Sequence, residues 1–273
     1  MGKSDRVIDS LLFGAGGWKS LSRIDTSSTP GMDDKGKAAA RLSRSLKEIS
    51  EFQYRLYAEA KRGLLVVFQA MDTGGKDGVI RKVFGPLNPQ GVEVSSFKRP
   101  TPIELAHDYL WRIHARLPAR GMIGVFNRSH YEDVLVPRAH GLLSAKELEK
   151  RCRQINDFER HLTENGLAVI KIFLHISKDE QKRRLEERLA DPDKRWKFES
   201  GDLEERKLWD KYQEAYQAAL EKCSTPCAPW RVVPADRKWY RDWAAAEIVR
   251  RELERLDPRF PKAGKGLGKV RVR

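Results

Sequence analysis

Residues 64–78 read LLVVFQAMDTGGKDG, an apolar run, a glycine turn and a lysine that opens a helix, and this order decides the fold. Leu64, Leu65, Val66, Val67 and Phe68 are apolar without alternation, as in a parallel strand covered on both faces. Backbone N–H groups at Gly74, Gly75 and Lys76 can wrap an anion, and a helix N-terminus adds partial positive charge. The Lys76 ammonium then brings a whole charge to phosphate oxygens. Two positions depart from the G-x-x-x-x-G-K-[ST] pattern. Ala70 stands where the first glycine belongs, and Asp77 replaces the hydroxyl residue that would touch Mg²⁺. An ordinary strand-to-helix turn is the alternative, and the buried strand before it favours the phosphate reading.

Outward from this stretch, strands alternate with helices. The spacing of Leu42, Leu46, Ile49, Phe52, Leu56 and Tyr57 predicts a helix over 37–62, stopped by Gly63. A strand over 64–69 leads into a helix from Lys76 to Phe84. Asn88-Pro89-Gln90-Gly91 is a turn before a short strand, Val92–Phe97. Thr101-Pro102 opens a helix expected to reach about Arg116. Gly121–Phe126 reads as a strand, and Ser144 with Glu147 forms a capping box for a helix through Leu162. Leu167–Ile176 is another buried strand. Ser177 caps the helix after it, with Glu180 at the reciprocal position. Trp230–Val233 is the last strand, before a helix over 239–256. Such alternation predicts an α/β fold, a parallel sheet flanked by helices on both faces. Residues 1–36 read as an arm lying over the domain or partly mobile, 37–260 as the domain, and 261–273 as a basic tail.

Composition narrows the partners. The chain has 273 residues, 40% hydrophobic and 34% charged, as in a globular protein. Its formal net charge of +14 favours polyanions and raises their rate of encounter. No stacking platform of alternating aromatic and basic residues appears, which points away from nucleic acid and toward polyphosphate or nucleotides. No apolar run of membrane-spanning length exists and no secretory leader is encoded, so the expected compartment is the cytoplasm. Cys152, Cys223 and Cys227 lack the partners for a zinc site or a disulfide framework and read as reduced structural thiols.

In open α/β sheets ligands gather at the carboxyl ends of the strands. Asp72 lies inside the glycine loop, where a carboxylate beside phosphates is repelled unless a cation intervenes. Mg²⁺ resolves that conflict, because it takes one or two carboxylates plus phosphate oxygens and water. The alternative is a turn aspartate bonded to its own backbone. At a second strand end, GVFNRSHYEDV, the carboxylate of a Walker B element is replaced by Asn127. Arg128 follows and can stabilise charge on a transferring phosphoryl group. Glu132 offers a replacement metal ligand, unless it and Asp133 are simply acids favoured at a helix N-terminus. His130 reads as a polar loop residue rather than a phospho-acceptor.

The segment after the third strand end is the most charged. Asp179–Arg183, Glu180–Arg184, Lys182–Glu186 and Arg183–Glu187 are spaced as i,i+4 ion pairs. Arg184 and Arg188 share a face, which is costly unless an anion lies between them. With the loop Asp191–Lys197 beyond, residues 178–205 resemble the mobile lid of a phosphotransferase, which excludes water. A nucleotide phosphate acting as nucleophile is already anionic and needs no general base, only charge neutralisation and in-line placement.

Several stretches together resemble the polyphosphate kinase 2 family: AMDTGGKDG at 70–78, SFKRPTPIELAHDYLWRIH at 96–114, GVFNRSHYEDVLV at 124–136, the RWK of the lid, and APWRVVPADRKWYRDW at 228–243. The resemblance implies a P-loop kinase fold with a helical lid insertion. It implies reversible, Mg²⁺-dependent phosphoryl transfer between inorganic polyphosphate and nucleotides, with Mn²⁺ as a substitute metal, and a homo-oligomer. Carried over by position, Asp72 and Glu132 bind metal, and Asp72, Lys76, Arg128 and Arg188 serve catalysis. Gly74, Gly75, Asp77, Gly78, Lys82, Arg112, Arg184 and Lys197 contact phosphates or nucleotide. Asn127 with Glu132 is similar to the subgroup that accepts both nucleoside mono- and diphosphates, AMP and ADP or GMP and GDP. Two further readings stay open: an ATP-dependent kinase of another small acceptor, and a non-catalytic polyanion-binding module.

Overall fold

A computed structural model describes residues 3–14, 17–199, 201–264 and 271. Five parallel strands form one sheet in the order β2-β3-β1-β4-β5. They are β1 (Gly63–Ala70), β2 (Val92–Ser96), β3 (Ile123–Asn127), β4 (Leu167–His175) and β5 (Trp230–Pro234). Every residue of β1 is buried, as a central strand covered by helices on both faces requires. Its register pairs Phe68 with Asn127 of β3 and Ala70 with Leu174 of β4. The carboxyl ends of the three central strands therefore lie side by side, at the edge where ligands of open α/β sheets bind.

The helices are α1 (Lys3–Ser10), α2 (Lys35–Glu59), α3 (Lys76–Phe84), α4 (Pro102–Leu105), α5 (Trp111–His114), α6 (Glu132–Ala139), α7 (Ala145–Glu164), α8 (Lys178–Ala190), α9 (Gly201–Lys207), α10 (Trp209–Cys223) and α11 (Lys238–Leu256). Helices α2, α3 and α11 pack together, and α10 lies against α6 and α7. Across the α2–α11 seam Ser45 Oγ bonds Glu247 Oε2 at 2.9 Å, and Arg250 Nη1 pairs with Glu48 Oε2 at 3.5 Å.

Three local expectations are corrected. The helix expected from Thr101 to about Arg116 breaks into α4 and α5, because Asp108 accepts from Leu110 N at 2.9 Å and its carbonyl takes Trp111 N at 3.0 Å. Such a side-chain turn competes with helix continuation. Helix α2 ends on Ala60 in the left-handed region (φ 50°), not at Gly63, which already belongs to β1. Ser177 does cap α8 by accepting from Glu180 N at 3.0 Å, but the reciprocal bond is absent: the Glu180 carboxylate turns to Arg183 and Arg184, and Ser177 N bonds Asp236 Oδ1 instead.

The amino-terminal segment is integrated with the domain. Leu11 and Phe13 are buried, Phe13 N donates to Trp230 O at 2.9 Å, and Val232 N to Leu11 O at 2.8 Å. It thus extends the sheet beyond β5 with a short antiparallel bridge. Residues 178–205 form a helix, a 3₁₀ turn at Arg195–Lys197 and the start of α9, with residue 200 outside the described residues. Most of the basic tail, residues 265–270 and 272–273, also lies outside them. Among the described residues no helix is long and apolar enough to cross a membrane.

Candidate active site

The loop between β1 and α3 is built by three conformational choices. Thr73 and Gly75 both take positive φ (56° and 96°), and Gly74 N donates back to Met71 O at 3.0 Å. A Cβ on Gly75 would sit 2.0 Å from Arg241 Nη1, and one on Gly74 2.4 Å from the Ala70 Cβ. Glycine is therefore required twice, and small Ala70 lets the turn close where the usual pattern has a further glycine. Helix α3 then starts at Lys76, so its free N–H groups point into the turn.

Lys76 is buried against this loop and donates to the Ala70 carbonyl at 3.2 Å. Burial, reinforced by the Arg128 charge, pushes its ammonium down to about 8. An anion entering the loop would oppose both effects by favouring the charged ammonium. Arg128 follows β3 in the left-handed region (φ 65°), with its N–H donating to Phe68 O at 3.1 Å. Its Nη2 lies 3.9 Å from Asp72 Oδ1. Burial opposes the Arg128 charge, yet Glu132 and Asp72 together hold its pKa above the ordinary value. Asp72, Lys76, Arg128 and Glu132 are thus brought together.

Asp72 does not bond its own backbone as a turn residue would. Its Oδ2 is buried without a hydrogen-bond partner, a costly state for a carboxylate oxygen. Asn127, in the Walker B position, donates to Asp77 Oδ1 at 2.6 Å, so the two departures from the common motifs meet each other. With its amide assigned so that the carbonyl faces Ser129, buried Gln69 accepts from Ser129 N and Oγ at 3.1 Å each and donates to Glu132 Oε1 at 2.9 Å. Glu132 and Asp133 occupy the first turn of α6. Among the described residues no three His, Cys, Asp or Glu side chains converge on one point, so a cation here would take most of its ligands from phosphate and water.

The arginines of α8 differ from expectation. Arg184 is buried, with Nε on Glu180 Oε1 (2.6 Å), Nη1 on Thr73 O (3.1 Å) and Nη2 on Ala235 O (2.6 Å). Burial lowers its pKa, with Glu180 resisting. Arg188 donates to Lys197 O at 3.1 Å and to Asp202 Oδ2 at 3.3 Å. Each has its own acceptors, so the shared face needs no intervening anion. The Glu180–Arg184, Lys182–Glu186 and Arg183–Glu187 pairs form, while Arg183 takes Glu180 as its second partner. Arg112 lies apart from the loop, bonded to Lys98 O (2.9 Å) and Asp133 Oδ2 (3.3 Å). Gly78 lies under the Arg241 guanidinium, whereas Lys82 and Lys197 are exposed.

His130 lies in the loop between β3 and α6, as expected, and is fully buried there beside Glu159. Sequence reasoning also missed Arg241, Gln69, Gln181 and Asp202. Arg241 lies against the loop from α11, and Gln181 Nε2 donates to Asp72 O at 3.1 Å. Burial, then the neighbouring Asp72, raises the Asp202 carboxyl. No spacing signal marks these four: Arg241, Gln181 and Asp202 come near the loop only through the tertiary fold, and Gln69, although next to it in sequence, bonds Ser129 and Glu132 after β3.

Sheet order, glycine loop and buried lysine define a P-loop kinase-like α/β fold. The family model of polyphosphate kinase 2 matches residues 32–261. An AMP/ADP-polyphosphate phosphotransferase of Meiothermus ruber is 51% identical over 246 residues, covering 89% of this chain and 91% of that protein. An ADP-polyphosphate phosphotransferase of Rhodopseudomonas palustris is 41% identical over 254 residues, covering 89% and 88%. The crystal structure of polyphosphate kinase 2 from Arthrobacter aurescens TC1 superposes with a TM-score of 0.91 at 47% identity, covering 95% of this chain and 93% of that one. The chain belongs to the polyphosphate kinase 2 family.

Proposed function

We propose that this protein transfers a phosphoryl group between inorganic polyphosphate and nucleotides, with AMP and ADP as acceptors and GMP and GDP as further candidates. The observation that carries the reading is the convergence of Lys76, Arg128 and an unpartnered Asp72 oxygen on a loop whose Gly75 and Lys76 amides are open to phosphate, the Gly74 amide being taken by Met71 O. The names of the relatives support the donor and the acceptors, and the ATP-dependent and non-catalytic readings are not favoured.

In the forward direction an acceptor phosphate oxygen attacks the terminal phosphorus of the polyphosphate chain. A new P–O bond forms, the bridging P–O bond breaks, and the electron pair leaves on a chain one phosphate shorter. No proton must be removed, because the nucleophile is already an anion. The protein's task is electrostatic: loop amides and Lys76 bind donor oxygens, and Arg128 meets charge as it develops on the transferring group. Asp72 and Glu132 are the residues that would hold Mg²⁺ or Mn²⁺, and the buried Asp72 oxygen fits that role. Such an ion, when bound, neutralises phosphate charge. Residues 178–205 serve as a lid, Arg188 contributing from α8 and Lys197 from the exposed turn. The protein acts in the cytoplasm as a homo-oligomer.

Incubation with Mg²⁺, long-chain polyphosphate and each of AMP, ADP, GMP and GDP tests the reading. ATP and ADP are the expected products from ADP and AMP. Absence of turnover with every acceptor would refute it. The pH profile gives a second check. Lys76 is charged below about pH 8 and neutral above it in the free enzyme. Accordingly kcat/KM for polyphosphate falls as pH rises through that value, approaching about tenfold per unit. A flat profile from about pH 7 to 10 contradicts the assignment of Lys76.

A further inference from the structure

Behind the turn that carries Arg128 lies an ionic cluster closed to water. Lys171 of β4 and Glu159 of α7 are each 0% exposed, with Lys171 Nζ 2.5 Å from Glu159 Oε2. The same ammonium donates to Tyr131 Oη at 2.8 Å and to the Cys223 carbonyl at 2.6 Å. Glu159 Oε1 accepts from Tyr131 Oη at 2.9 Å and lies 3.2 Å from His130 Nε2. The Lys171 ammonium also lies 5.2 Å from the ring centroids of both Tyr131 and Trp230.

Desolvating an ammonium and a carboxylate is costly, and an apolar pair of equal volume commonly serves a core as well or better. Stability alone is therefore a poor reason for this cluster. What it holds is local in sequence: Ser129, His130 and Tyr131, all 0% exposed, follow directly after Arg128. The Arg128 backbone sits at φ 65°, where an L-residue stays only if its surroundings over-determine it. Gln69 fixes the turn from β1 through Ser129 and Glu132, and the buried cluster fixes it from β4 and α7. None of the cluster residues faces the glycine loop, so their effect on phosphate must pass through the turn.

We propose that the Lys171–Glu159 pair is a positioning device: through Tyr131 and His130 it locks the 127–132 turn so that Arg128 and Glu132 stand ready beside the loop. The proposal rests on the transition-state role given to Arg128 above. Lys171, Glu159, Tyr131 and His130 are positioning residues and touch neither substrate.

Tyr131→Phe removes one phenolic oxygen, and Glu159→Gln removes the charge while keeping the shape. Each is made alone and in an Arg128→Ala background, and kcat and KM are measured with ADP and polyphosphate. Alone, each variant is expected to lower kcat by about 10- to 100-fold with KM for polyphosphate nearly unchanged. In the Arg128→Ala background the further loss is smaller, confined to the share carried by Glu132, since effects that act through one group are non-additive. Equal fractional losses in both backgrounds overturn the proposal. Amide hydrogen exchange, which needs no turnover, supplies a second readout. Exchange across residues 128–132 is expected to quicken about tenfold or more in Tyr131→Phe while β1 stays protected, and unchanged exchange there overturns the proposal. If Glu159→Gln fails to fold, Tyr131→Phe still decides. An unmodified enzyme that turns over no acceptor would remove the proposed function, whereas the exchange data would judge the positioning on their own.

Discussion

Lys76→Ala is expected to lose about three orders of magnitude in kcat/KM for polyphosphate while the protein remains folded. The loss is large because the ammonium sits in a water-poor loop, where a fixed charge stabilises phosphate far more than it would in bulk solvent. Folding should survive because the charge is a burden on the empty site: burial pushes the Lys76 pKa down to about 8, so the folded chain holds the proton less tightly than the unfolded one. By the sign of that shift, the destabilisation is fully present below about pH 8 and is relieved as pH rises from there toward the ordinary lysine value. Removing the ammonium lifts that burden, partly offsetting the lost packing of the side-chain stem. Circular dichroism and a melting curve confirm the fold, and steady-state rates measure the loss. A variant within about threefold of wild type would remove Lys76 from the mechanism.

Arg128→Ala is expected to lower kcat by about a thousand-fold or more, the range of an arginine that meets transition-state charge. Its effect should differ in kind from that of Lys76. The 3.9 Å approach to Asp72 and the electrostatic hold of Glu132 place the guanidinium among carboxylates before any phosphate arrives. Its charge is therefore largely balanced in the ground state, and it becomes most useful when charge moves during transfer. The expected signature is a fall in kcat with KM for polyphosphate changed by only a few-fold. Arg128→Lys should recover little, because an ammonium cannot reproduce the planar fork. A rise in KM with kcat intact would instead make Arg128 a simple anion anchor.

Much of the fold was legible because its signals are local. The unbroken apolar run of 64–68 before a glycine turn pointed to a strand covered on both faces, and Ser144 with Glu147 announced α7 through a capping box that forms in full. The break at Asp108 was hidden, because an aspartate inside a helical pattern is ambiguous until its carboxylate is seen to take the Leu110 amide. In the site, Gly74, Gly75 and Lys76 could be found from their order alone. Arg184 and Arg188 were visible as basic residues, but their partners Thr73 O, Ala235 O and Asp202 belong to remote segments. The loop position of His130 was legible, but its burial was not, since Glu159, which makes that burial tolerable, comes 29 residues later. Charge spacing reveals pairs along one helix and is silent about pairs across the sheet.

The departures from common phosphate-loop motifs also make sense together. Ala70 replaces a glycine and still lets Gly74 close against it, while Asp77 and Asn127 bond each other at 2.6 Å. A hydroxyl and a carboxylate have in effect been exchanged for a carboxylate and an amide, leaving Asp72 with the free buried oxygen. This supports the metal role proposed for Asp72 over one at the end of β3.

The most direct measurement is a crystal structure of the protein with Mg²⁺ and a short polyphosphate. The account predicts a phosphate seated within hydrogen-bond reach of the Gly75 and Lys76 amides, with the Lys76 ammonium released from the Ala70 carbonyl to meet it. Phosphates bound elsewhere, with this loop vacant and Lys76 still on Ala70, would contradict it.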